Sequence, residues 1–221
     1  MMAGLFSRGR RRQVSTYVAM GDSFTAGNGC PPAERWPDLL VSDLRSDRPD
    51  LQYFNLARDG AGSADVLEQV PEALRLQPDL VTLVCGANDV ILALRPDVQV
   101  AGSRLELIID RLRQGSPGVA IVTATYPEQW VLEGFGPRTR AKINTGMSSL
   151  NQTIREVSAS RMVPCLDVVD HPGIGDPLNY EPDGIHPSAE GHRHAASEFG
   201  QALDRYFSIR KTNSRRRRQK T

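Results

Sequence analysis

Long apolar runs are missing from this chain, and no stretch approaches the ~20 residues that a membrane-spanning helix needs. The basic segment Met1 to Arg12 lacks the apolar core of a secretory signal, because Leu5-Phe6 gives way at once to Ser7-Arg8. Both absences point to the cytoplasm. Cysteine is scarce: three residues, an odd count in no metal-ligand spacing, agree with a reducing compartment. Cys85 and Cys165 are expected to be buried, inert strand thiols. The four histidines lack a second carboxylate cluster at ligand spacing, so neither a metal nor any other cofactor is expected.

Charge is present but segregated. Residues 1–12 carry four Arg and residues 210–221 carry five Arg and two Lys, with no acid in either segment. The formal net charge of +1 therefore conceals a body, residues 13–209, at −10. Ends such as Arg215-Arg216-Arg217-Arg218 suit weak contact with an anionic surface, and the plainer reading is a solvated tail. No basic face interleaved with aromatics supports specific nucleic-acid recognition. A chain of 221 residues suits one domain. The expected division is a basic tail over 1–14, a single folded domain over 15–209 and a basic tail over 210–221.

Five apolar runs recur: Thr16–Met20, Gln52–Leu56, Leu80–Cys85, Val119–Thr125 and Met162–Val169. Their near-continuous apolar character predicts strands buried on both faces, as in a parallel sheet covered by helices. Helical periodicity appears over Trp36–Leu44, Val98–Leu112, Ala141–Val157 and Ser188–Tyr206. Alternating strands and helices with short connections define a three-layer α/β/α fold around a five-stranded parallel sheet.

The first strand runs directly into Gly21-Asp22-Ser23, and Asp183-Gly184-Ile185-His186 stands near the other end. A serine hydroxyl attacks esters only with a general base in reach and a third group to orient that base. Asp183 and His186 supply both. The order Ser, Asp, His is that of α/β-hydrolases, but their G-x-S-x-G elbow is absent. Ser23 also suits a helix N-cap, and Asn88 a turn after a strand. His192 and His194 are expected to be exposed helix residues and His171 a loop residue. Asp22 and Asp89 are expected to hold loops by hydrogen bonds.

Two further blocks, Asn55-Leu56-Ala57-Arg58-Asp59-Gly60 and Gly86-Ala87-Asn88-Asp89, each follow an apolar run. The four blocks in this order resemble the SGNH/GDSL hydrolases, with Phe24 where a Leu often stands. The resemblance implies a flavodoxin-like strand order 2-1-3-4-5, a Ser23–His186–Asp183 triad, and an oxyanion hole from the N–H groups of Ser23 and Gly60 with the Asn88 amide. It also implies a carboxylester hydrolase acting on a small-molecule, lipid or carbohydrate ester. Acyltransfer, carbohydrate O-acetyl esterase activity and a catalytically silent flavodoxin-like binding protein stay open. Trp130 and Phe135, in the loop after the fourth strand, are candidate pocket residues. Without a large cap domain, a shallow site for short acyl groups is expected.

Overall fold

The computed structural model describes residues 13–128 and 136–209. Five parallel strands, β1 (Thr16–Gly21), β2 (Gln52–Asn55), β3 (Leu80–Val84), β4 (Ala120–Ala124) and β5 (Cys165–Leu166), form one sheet in the order β2-β1-β3-β4-β5. Register is carried by Val18 opposite both Phe54 and Val81, and by Thr82 opposite Val122. The central strands β1, β3 and β4 are buried almost throughout, as their apolar runs predict. The edge strands depart from the expectation of burial on both faces. β2 is only partly buried, and β5 shrinks to two residues of the run Met162–Val169. An edge strand has a neighbour on one side only, so its apolar residues are spent on helix and loop contacts.

Among the described residues eight α-helices flank the sheet: α1 (Ser23–Ala26), α2 (Trp36–Arg45), α3 (Ser63–Glu68), α4 (Val70–Arg75), α5 (Ala87–Ile91), α6 (Val98–Gly115), α7 (Pro137–Ser160) and α8 (Ala189–Phe207). α2 packs on α8 to form one helical layer, while α6 packs on α3, α4 and α7 in the other. The three-layer α/β/α architecture is therefore present. α7 starts four residues before the periodic segment at Ala141, with a proline in its first turn where the missing N–H has no intrahelical partner to lose. The short helices α3 and α4 have no counterpart in the sequence reading, since each is barely a turn and a half long.

Among the described residues no helix is long and apolar enough to cross a membrane. Trp130, Phe135 and the basic segments 1–12 and 210–221 lie outside the described residues.

In this sheet order the connection from β1 runs toward β2 and that from its neighbour β3 runs the opposite way, toward β4, which opens a crevice at the carboxyl edge. The last residue of β1 sets that edge. Gly21 has φ of 154°, and a Cβ there would stand 2.3 Å from the Val84 carbonyl oxygen. Because this neighbour is backbone in the middle of the sheet, it cannot swing aside. Gly21→Ala is expected to cost about 3 kcal/mol or more, and a urea midpoint within error of the parent would refute the constraint.

Candidate active site

The turn after β1 is held from several directions. Gln69, at the junction of α3 and α4 and 1% exposed, accepts from the Gly21 N–H (3.0 Å) and donates to the Gly21 carbonyl (2.8 Å). Asp22 caps α1 by accepting from the Phe24 N–H at 3.1 Å, and its other oxygen accepts from the Tyr126 hydroxyl at 2.6 Å. Burial pushes the Asp22 carboxyl up to about 7, against the opposing pull of these hydrogen bonds and of His186. Since Asp22 fills the N-cap position, Ser23 is left with its hydroxyl free for another partner.

That partner is His186. Ser23 Oγ lies 2.9 Å from His186 Nε2, and His186 Nδ1 lies 2.6 Å from Asp183 Oδ2. The other Asp183 oxygen accepts from the N–H groups of Ile185 (2.8 Å) and His186 (3.0 Å). Partial burial works against ionisation of Asp183, but these hydrogen bonds outweigh it and hold the carboxyl below its ordinary range. An ionised Asp183 accepts a hydrogen bond from Nδ1–H, which fixes the tautomer and leaves Nε2 bare toward the serine. The segment bearing both residues is itself tied back, with the Glu181 N–H donating to the His186 carbonyl at 2.8 Å.

Gly60 and Asn88 follow β2 and β3 on the same edge. Gly60 has φ of 72°, and the space where a Cβ would stand is open to 4 Å. Asn88 donates one amide hydrogen to the Ala61 carbonyl at 3.0 Å, which fixes the side chain and leaves the second hydrogen unspent by that bond. The Ser23 N–H stands at the first position of α1, where no intrahelical acceptor exists. Asp89 accepts from the Ser63 N–H (2.6 Å) and hydroxyl (2.7 Å), so it ties the loop after β3 to α3. Asp22 and Asp89 thus both serve as loop anchors. No group of side chains among the described residues could hold a metal ion.

His192 corrects the sequence reading. It is fully buried rather than exposed, and its Nδ1 accepts from the Trp36 N–H at 3.3 Å. Nε2 then carries the proton and has no partner among the described residues. The Trp36 indole N–H donates in turn to the Phe24 carbonyl at 2.9 Å. His192, Phe199 and Leu203 share the buried face of α8, and Trp36 stacks on Phe199 with ring centroids 4.1 Å apart. His194 is exposed and His171 lies in a loop, as expected. Cys30, Cys85 and Cys165 are free thiols; burial raises the pKa of each, and Cys85 is fully covered just after β3.

The sheet order and this edge define an α/β ester hydrolase of the SGNH type. The chain belongs to the GDSL-like Lipase/Acylhydrolase family, whose model matches residues 19–194. An arylesterase of Vibrio mimicus is 24% identical over 191 residues, spanning 86% of this chain and 88% of its own. The lipase/acylhydrolase from Enterococcus faecalis superposes with a TM-score of 0.66 at 22% identity, covering 85% of this chain and 94% of the other. A psychrotrophic esterase from Pseudoalteromonas sp. gives a TM-score of 0.65 at 17% identity, covering 88% and 99%. These likenesses to solved structures bear on the fold.

Burial, followed by the charges of Arg35 and His186, pushes His192 down from 6.5 to about 4. As pH falls below 6.5 the unfolded chain takes up a proton that the folded one refuses, so stability is lost from there down to about pH 4 and no further below it. The loss is expected to be on the order of 3 kcal/mol. Urea unfolding at pH 7 and pH 4.5 should show the parent losing this much more stability than His192→Asn, which retains an acceptor for Trp36 but cannot be protonated, since the opposing gain from protonation of Asp22 is common to both proteins. An equal loss in both proteins would count against a neutral buried His192.

Proposed function

We propose that the protein hydrolyses carboxylic esters of short acyl groups through an acyl-enzyme on Ser23. The observation that carries this reading is the chain of contacts from Asp183 through His186 to Ser23, at 2.6 and 2.9 Å. His186 Nε2 takes the serine proton as Oγ attacks the ester carbon. The carbonyl oxygen becomes an oxyanion, received by the N–H groups of Ser23 and Gly60 and the free amide hydrogen of Asn88. His186 then returns the proton to the leaving alcohol, and a water activated by the same nitrogen releases the acid. Asp183 orients the ring and stabilises its charged form. The three free thiols support a reducing, cytoplasmic setting.

Ser23→Ala should abolish the burst of acyl-enzyme formation on an activated ester. Asn88→Ala should lower kcat by roughly 10²–10³ with much less change in KM, since the amide binds the oxyanion more strongly than the ground-state carbonyl. An effect confined to KM would remove Asn88 from this role.

A further inference from the structure

An apolar chamber of about 130 Å³ lies between the carboxyl ends of β3, β4 and β5, the loop 171–187 and α8. None of Ser23, Gly60, Asn88 or His186 lines it. Phe24, whose ring meets Tyr126 edge-on at 5.2 Å, forms its wall next to Ser23 in the chain. The polar side chains of the lining are mostly engaged elsewhere. The Tyr126 hydroxyl donates to Asp22, the Thr125 hydroxyl to Asp167 Oδ1 at 3.0 Å and the Tyr180 hydroxyl to the Ile174 carbonyl at 2.6 Å. His171 Nδ1 accepts from the Gly173 N–H at 3.1 Å. Asn179 differs. It is 8% exposed, its amide nitrogen donates to the Gly173 carbonyl at 2.6 Å, and its Oδ1 is buried with no partner among the described residues. Because the nitrogen faces a carbonyl, the two ends of the amide cannot be exchanged, and Oδ1 is left as a free acceptor.

We propose that this chamber is a binding site, separate from the ester site, for a small neutral molecule of the phenol kind, one six-membered ring carrying one hydrogen-bond donor. The proposal does not rest on ester hydrolysis at Ser23. Size selects the ring, since an engineered apolar cavity of roughly 150 Å³ takes up benzene. Asn179 selects the donor, because an acceptor buried without a partner carries its full desolvation penalty until a ligand supplies a hydrogen. Water answers this need poorly: it requires two to four polar partners, and the wall offers one free side-chain acceptor. An ion would be stripped of its own water against walls that are almost wholly apolar, which selects a neutral molecule. The occupant would touch α8 and the loop 171–187 together, an arrangement that exists only in the folded protein. Binding therefore favours the docked form of the segment that carries Asp183 and His186.

Phenol and toluene, nearly equal in shape, are titrated into the unaltered protein and followed by NMR. Against a wall with no free acceptor, the buried hydroxyl would make phenol the weaker ligand by roughly 10–100-fold. With Asn179 Oδ1 available, phenol should saturate the protein with an affinity within about tenfold of toluene or better. Binding of neither compound overturns the site, and binding of toluene with phenol weaker by more than that overturns the role of Asn179. Overhauser contacts from the phenol ring should reach the methyl groups of Val168, Ile174 and Ala195, all in the chamber wall. Contacts confined to other residues overturn the placement. Ala195→Leu, which fills the space from α8, should weaken phenol at least about tenfold, and unchanged affinity in a folded variant is a contrary result; if thermal unfolding shows that the variant does not fold, the ring contacts in the unaltered protein decide. Phenol should also bind equally well after a phosphonate has labelled Ser23, and its displacement would move the ligand to the reacting edge and overturn a separate site. The reading of Ser23 is judged apart from this, since failure of the phosphonate to label Ser23 leaves the phenol titration standing.

Discussion

Gly21 occupies a position that no larger residue can share, because the Val84 carbonyl of the neighbouring strand stands where its Cβ would be. Everything at the carboxyl edge follows from that close approach. β1 and β3 can run side by side to their ends, and the chain can then turn sharply with both polar groups of Gly21 held by Gln69. Asp22 goes inward to Tyr126 and Ser23 goes upward to His186. The nucleophile elbow of α/β-hydrolases makes its sharp turn at a strained serine. Here the unusual backbone is placed two residues earlier, and Ser23 itself begins a regular helical turn.

The buried carboxyl of Asp22 shows how tightly the turn is specified. A group pushed up to about 7 is costly to keep ionised, and its two hydrogen bonds recover part of that cost. Tyr126 answers Asp22 from the end of β4, two strands away from β1. Asp22 thereby ties the end of β4 to the start of α1, across β3. The same Tyr126 ring contributes a wall of the apolar chamber, so the anchoring of the turn and the shape of the chamber depend on one side chain.

Much of this was legible in the sequence because the signals were periodic or punctuated. The central strands announced themselves as uninterrupted apolar runs, and α6 by the spacing of Ala101, Leu105, Ile108 and Leu112. β5 was less legible, since Met162–Val169 is apolar enough for a full strand but only Cys165 and Leu166 pair. The four blocks located the edge; their partners did not stand out, because Gln69 and Tyr126 are polar residues whose burial is decided by distant segments. His192 was readable in principle. Its spacing of seven from Phe199 places it on the apolar face of α8, but a histidine beside Arg193 and His194 reads locally as part of a polar patch. The α3–α4 junction is hidden for another reason: Pro71 interrupts any single helical period.

Trp36 joins His192 to the Phe24 carbonyl, and α8 starts three residues beyond His186. Following these contacts from Ser23 to Phe24, Trp36, His192 and back along the chain to His186 closes a ring that returns to Ser23. The ring is made from the first and the last parts of the domain, with β2 to β5 lying between them in sequence. During synthesis Ser23, Gly60 and Asn88 emerge well before residues 183–207, so the proposed base can join the proposed nucleophile only once this last segment docks on α2. On that reading the order of translation works as a safety catch, because the proposed triad is completed late.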